Sequence, residues 1–190
     1  MTEAAKKKAT YEELYSVPET MTGEIINGEL VVSPRPSRRH ILASSYLGGE
    51  IIPPYCHGRG GGPGGWIILL EPEIGLGEHV LVPDLAGWKA ERYPEEEPHN
   101  WISISPDWAC EIISPGTETY DRDEKMSIYA AHGVPHIWLI NPLIRTLEAY
   151  RLLAEGWFRF AIFSGDKRIR VEPFNEAEID LGLLWGARKS

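Results

Sequence analysis

The chain has 190 residues, 43% of them hydrophobic, with seven Trp and eight Tyr, enough to bury a core without disulfides or a structural metal. Acidic residues outnumber basic ones 28 to 19, for a net charge of −9, which argues against a protein that coats nucleic acid non-specifically. No apolar run approaches the roughly 20 residues of a membrane span, and nothing apolar follows the lysines of "MTEAAKKKATYEEL" as a secretory signal would require.

Residues 1–9 read as a flexible, solvated arm, and 10–190 as one domain. Thr10 to Glu13 has capping-box spacing and opens a short helix to about Val17. "GEIINGELVVSP" reads as two strands around Asn27-Gly28, a strong hairpin signal. Ser37 suits the N-cap of a helix over "RRHILASSYLGGEII", whose common face is expected to carry Ile41, Leu42, Ser45, Tyr46 and Gly49. "CHGRGGGPGGW" lacks the Lys-Ser or Lys-Thr of a nucleotide-binding loop and reads as a flexible turn. "WIILLEPEIGL" and "HVLVPDLAGW" read as strands, and "YPEEEPHN" as a charged surface loop.

"DWACEIIS" is almost continuously apolar, as a strand covered on both faces would be. Asp121 to Glu124 repeats the capping-box pattern and starts a helix ending near His132, with Gly133 and Pro135 to close it. "HIWLIN" is the next buried strand, so this region predicts a βαβ unit with parallel strands. "TLEAYRLL", "GWFRFAIF" and "KRIRVEPF" follow as an antiparallel meander. The whole predicts a mixed α/β (α+β) fold with an N-terminal hairpin. Cys56 and Cys110 are expected to be free thiols, and no His/Cys cluster has zinc-site spacing, which fits a cytoplasmic protein.

Two acidic residues stand on or against strands without local reason: Asp84, after "HVLVP", and Glu111, inside "WACEII". An unpaired buried carboxylate costs several kcal/mol, so a cation partner, a metal or a wet cleft must offset it. Pro83, unable to donate in a ladder, suits the end of a strand, where ligands are presented. Lys125 and Tyr129 lie four apart on one helical face, with His132 a step further. Both readings stay open here: an ion pair of Glu111 with a lysine or arginine, or a metal site.

Four stretches together resemble the Uma-type restriction endonucleases of the PD-(D/E)xK nuclease superfamily. They are "GEIINGELVVSPRPSRRH", "VLVPDLAGW", "PDWACEIISPGTETYDRDEKMSIYAAHGVPHIWLINP" and, more loosely, "EPFNEAEIDLGLLW", spanning nearly everything from Tyr11 to Trp185. The resemblance implies a restriction endonuclease-like core, a mixed sheet flanked by helices. It implies Mg²⁺ or Mn²⁺ held by Asp84, Glu111 and the backbone carbonyl of Ile112. Glu24 matches an auxiliary ligand or water-orienting group, its alternative being an exposed hairpin residue. The superfamily lysine would fall at Ile113; in this pattern it is displaced to Lys125, with Tyr129 in support.

The function expected is therefore a Mg²⁺- or Mn²⁺-dependent endonuclease cutting phosphodiester bonds, in DNA. Oxygen-only ligands favour such hard cations over zinc. Arg35, Arg38, Arg39 and His40 of "RPSRRH" read either as a phosphate contact at a helix N-terminus or as a solvated basic turn. "KRIRV" reads as a second contact or a charged edge strand. The alternatives are a non-catalytic protein of nuclease fold, acting in binding or assembly, and a metal-dependent hydrolase of a small phosphoester. A homodimer is expected by analogy with enzymes that cut both strands, the tryptophans offering a partner surface; no membrane association is expected.

Overall fold

A computed structural model describes residues 8–186. Residues 1–7 of the expected arm lie outside the described residues, as do 187–190. Residues 8 and 9 are tied to the domain: Lys8 pairs with Glu78, and the Ala9 N–H donates to the Gly28 carbonyl at 2.8 Å.

Helix α1 (Tyr11–Leu14) ends a turn earlier than expected, with the Thr10 N–H donating to the Glu13 carboxylate at 2.8 Å. Strands β1 (Met21–Ile26) and β2 (Glu29–Pro34) pair antiparallel around Asn27 and Gly28. Both turn residues have positive φ, 53° and 75°, the backbone a two-residue hairpin of this twist requires. Helix α2 (Arg38–His57) starts at Ser37, whose hydroxyl accepts from the His40 N–H at 3.4 Å, and it runs through Pro53 and Pro54 to a left-handed Gly58 cap.

The buried face of α2 is not the expected one. Ala43, Leu47, Ile51 and Tyr55 face the core at four-residue spacing, whereas Ile41 and Tyr46 are exposed. Shifting the stripe by two residues turns it by about 160°, given 3.6 residues per turn. Alanine at 43 was too small to mark the core side, and Tyr46 too large to be ignored.

The two long apolar runs that follow each break in two. They give β3 (Trp66–Leu70) and β4 (Ile74–Leu76), then β5 (His79–Leu81) and β6 (Leu85–Lys89). Next come β7 (Trp108–Ile112), a π-helical turn (Tyr120–Lys125), α3 (Met126–Ala131) and β8 (His136–Asn141). The chain closes with β9 (Thr146–Leu153), β10 (Gly156–Ser164), β11 (Arg168–Val171), β12 (Phe174–Asp180) and α4 (Leu181–Leu184). One sheet has the order β2-β1-β5-β4 and the main sheet β10-β9-β8-β7-β6-β3, so the chain changes sheet at Val82–Asp84. In the main sheet β7 and β8 pair parallel, as the βαβ pattern predicts, and the other steps are antiparallel. The third strand of the expected meander leaves it, because β11 pairs with β12 in a separate ribbon.

Each face of the main sheet is covered. On one face α2 and the β11–β12 ribbon pack on Trp66, Trp108, Cys110, Ile112 and Trp138, around Phe174. The Phe174 ring centroid lies 4.6–5.5 Å from those of Tyr55, Trp66, Trp108 and Trp138. On the other face α3 and the smaller sheet pack on Ala109, Ile113, Ile137 and Leu139. This is why β7 is apolar at both parities. Four of the seven tryptophans belong to the core, Trp66, Trp88, Trp108 and Trp138, while Trp101, Trp157 and Trp185 are partly exposed.

Truncating the true stripe should be costly. Leu47→Ala is expected to lose about 2–5 kcal/mol of unfolding free energy, while Tyr46→Ala changes it by less than about 0.5 kcal/mol. Urea denaturation of the two variants checks this, and equal losses would return the helix to the face read from sequence.

Candidate active site

Glu111 lies on the α3 side of β7, between Ala109 and Ile113, where its neighbours are otherwise apolar. Two groups meet it. The Tyr129 hydroxyl donates to Oε1 at 2.7 Å, and the Lys125 ammonium donates to Oε2 at 3.3 Å. Lys125 Nζ also lies 3.0 Å from Glu24 Oε1 and 3.5 Å from Asp121 Oδ1. One ammonium thus serves three carboxylates, from β1, β7 and the π-helical turn. All four groups are buried: Glu111 is 2% exposed, Asp121 3%, Lys125 4% and Glu24 7%.

The electrostatics follow from burial and crowding. Burial pushes the Glu111 carboxyl well above the usual range; Lys125 offsets part of this, while Asp121, Asp84 and Glu24 add to it. Burial likewise raises Asp121, against the pull of Lys125 and of the Thr117 hydroxyl, which donates to its Oδ2 at 2.6 Å. For Lys125 burial acts downward, but the three carboxylates outweigh it and hold the ammonium protonated. Burial and the neighbouring Glu111 keep the Tyr129 phenol protonated, as a donor must be.

Asp84 stands where the chain crosses between sheets. Its Oδ2 accepts from the Ile112 N–H at 2.6 Å, which fixes it to the end of β7, and its Oδ1 accepts from His40 Nε2. Glu24 is fixed similarly, its Oε1 accepting from the Val82 N–H at 2.7 Å. Asp84, Glu24, Glu111, Asp121, Lys125 and Ile112 all line one cleft of about 240 Å³. The cleft also touches Ser37, His40, Ser114 and Thr117.

The structure therefore brings Asp84, Glu111, Lys125, Glu24, Ile112, Tyr129 and His40 to one place. Glu24 is a buried partner of Lys125 and not an exposed hairpin residue. Arg35 borders the cleft, but Arg38 and Arg39 do not, and Arg39 lines a different pocket. His132 also stays away, its ring nitrogen meeting the Ile128 carbonyl.

Asp121 was misplaced by the sequence reading. The chain turns helical before it, the Asp121 N–H donating to the Thr117 carbonyl at 2.9 Å, so it caps nothing and points inward. The spacing Asp121, Lys125, Tyr129 was the available signal, since residues four apart share a helical face. π-helical turns are rare and recur at functional sites.

A second buried carboxylate of the main sheet holds that turn. Glu148 lies in the same cross-strand row as Glu111, through Leu139. It accepts from Arg122 at 2.6 Å, the Tyr150 hydroxyl at 2.6 Å and Arg159 at 2.9 Å. The π-helical turn is thus docked on the main sheet through two cations, Lys125 to Glu111 and Arg122 to Glu148.

An open sheet with a polar cleft at the carboxyl end of its central strand is an arrangement that hydrolases and binding proteins share; the comparisons narrow it. The chain resembles a solved structure from Anabaena variabilis, described as "a putative nuclease belonging to DUF820", with a TM-score of 0.74 and 27% identity over 94% of this chain and 98% of that one. The fold is thus that of a nuclease-like mixed α+β protein. Residues 9–182 match the model of the Uma2 family, described as "Putative restriction endonuclease". The chain belongs to the Uma2 family. Comparison with curated proteins gives no match.

The Glu148 cluster makes stability depend on acid. Burial pushes this carboxyl up, but the hydrogen bonds from Arg122, Tyr150 and Arg159 outweigh it and hold it at about 2. Folding therefore favours the ionised form, so its contribution is full above the unfolded value of 4.5 and fades as pH falls to about 2. The Glu148→Gln variant is expected to lose up to about 3 kcal/mol at pH 7. Its deficit against wild type should close between pH 4.5 and 2 in urea denaturation; a deficit constant over that window would contradict the assignment.

Proposed function

We propose that the cleft is the active centre of a Mg²⁺- or Mn²⁺-dependent endonuclease that hydrolyses phosphodiester bonds in DNA. The observation that carries this reading is the surplus of negative charge: four carboxylates, on β1, before β6, on β7 and on the π-helical turn, around one ammonium in an open cleft. Family membership and the nuclease-like fold support it.

The donor set suits a hard divalent ion, since carboxylate and carbonyl oxygens favour Mg²⁺ and Mn²⁺. Among the described residues no three His, Cys, Asp or Glu side chains converge as ready ligands; the buried carboxylates turn to Lys125 instead. Asp84, Glu111 and the Ile112 carbonyl would hold the ion at the cleft edge, with Glu24 in support. A cation there supplies Lewis acidity, polarising a phosphate oxygen and lowering the pKa of water.

The chain's own groups do the rest. The Ile112 N–H and His40 fix Asp84, so its carboxylate stays aimed at the cleft. Tyr129 fixes Glu111 in the same way. Lys125, protonated among its carboxylates, places a fixed positive charge beside the cleft that stabilises a phosphate oxygen as its charge develops. Asp121 and Glu24 hold that ammonium in place.

A second reading has one observation behind it. Lys125 is already paired, so Glu111 and Lys125 also read as a structural ion pair in a non-catalytic protein of this fold. The two readings differ in what metal does. A protein that binds Mn²⁺ only when folded gains stability by mass action, so millimolar Mn²⁺ is expected to raise the Tm of wild type and not of Asp84→Asn. Plasmid DNA should be cut with Mg²⁺ or Mn²⁺, with the rate falling about 10²- to 10³-fold in Lys125→Met and to background in Asp84→Asn. A metal-independent Tm together with uncut DNA would leave the structural ion pair.

A further inference from the structure

We propose that the pocket lined by Arg39, Leu42, Leu143, Arg145, Leu184 and Trp185 holds a backbone phosphate of the nucleic-acid strand whose scissile bond lies in the cleft. This rests on the reading of the cleft as a nuclease centre. The first turn of α2 links the two places. Successive helical residues diverge by about 100°, so His40 reaches Asp84 while Arg39 faces the neighbouring pocket of about 250 Å³.

The sheet sets the distance. Strands β7 and β8 are parallel, with Ile112 opposite Ile140, so their carboxyl ends share one edge of the molecule. Ile112 borders the cleft, and the β8–β9 loop, starting at Pro142, borders the pocket. Neighbouring strands lie about 4.8 Å apart, which puts the pocket one strand along from the cleft. The loop is held by Asn141, whose Oδ1 accepts from the Leu143 and Ile144 N–H groups at 3.0 and 3.3 Å.

The charges there are weakly partnered. Among the described residues Arg39 makes no ion pair, and Arg145 meets only Asp166, at 3.7 Å with both side chains more than half exposed. That is unexpected in a chain with 28 acidic and 19 basic residues. Arg145 also holds a left-handed backbone, φ 53°, which glycine or asparagine would adopt at less cost. Two guanidinium groups facing one cavity repel each other, and an anion between them reverses that. Planar guanidinium forks match phosphate oxygens. The surface the pocket exposes is mostly polar, with Leu184 buried beneath it, which suits a charged phosphate group rather than a base. Trp185 is fixed there, its indole N–H donating to the Gly165 carbonyl at 3.1 Å. The cleft itself is lined by carboxylates, so a polyanion needs a cationic hold outside it.

The test is fluorescence anisotropy of a labelled DNA duplex in Ca²⁺ between about 50 and 200 mM salt, with wild type, Arg39→Gln, Arg145→Gln, the double variant and Arg59→Gln. Arg59 is exposed beyond the far end of α2, about 30 Å away by the helical rise over 20 residues, and its variant controls for net charge alone. The double variant is expected to bind roughly tenfold more weakly. Its slope of log K against log salt should flatten by about 0.9 for each arginine, and Arg59→Gln should keep the wild-type slope. A double variant with wild-type affinity and slope, or an equal loss in Arg59→Gln, overturns the pocket assignment. Cleavage by wild type in Mg²⁺ is scored separately: if DNA is cut and the double variant still binds normally, the pocket alone fails, and if wild type neither cuts nor binds, both readings fall.

Discussion

The ammonium of Lys125 is the interaction on which the rest depends. It enters a nearly dry site where burial alone would strip its proton, and three carboxylates keep it charged. Those carboxylates in turn tolerate burial because it is there. Removing one partner from a buried pair commonly costs 3–5 kcal/mol, since an uncompensated charge remains; here each carboxylate has Lys125 as its cation. The geometry of β1, β7 and the π-helical turn is therefore expressed at one nitrogen atom.

The surroundings hold that nitrogen in place by separate means. The main sheet presents Glu111 and Glu148 in a single cross-strand row, and the π-helical turn answers with Lys125 and Arg122. Asn27, at the tip of the hairpin, donates its side-chain N–H to Glu124 at 2.7 Å, which links the turn to β1 and so to Glu24. Asp84 is set by the backbone, through the Ile112 N–H. The site rests on packed strands and a short helix rather than on free loops, the kind of support that fixes functional side chains best.

Much of this was legible because strong local signals agreed with the fold. Asn27-Gly28 allows little but a tight hairpin, and "WACEII" with "HIWLIN" on either side of a helix left little but a parallel pair. Charge inside an apolar run marked Glu111, and a strand-ending proline marked Asp84. Glu148 escaped notice because "TLEAYRLL" alternates, and an acid in an alternating strand reads as solvent-facing until the opposite layer is known. The α2 stripe was misread for a similar reason: a small alanine and a glycine contact the core where two larger residues do not. The split of "HVLVPDLAGW" between two sheets depends on tertiary pairing that no local pattern records.

That split has a mechanical consequence. The hairpin bearing Glu24 meets β5 through one aligned pair, Ile25 with Val80, whereas Glu111 sits in the fourth of six strands bonded on both sides. One jaw is held by ladders on both edges, the other by that pair and by side chains, Glu24 on the Val82 N–H and Asn27 on Glu124. A tilt of the hairpin by a fraction of an ångström would change the spacing of acidic oxygens without breaking the main ladder.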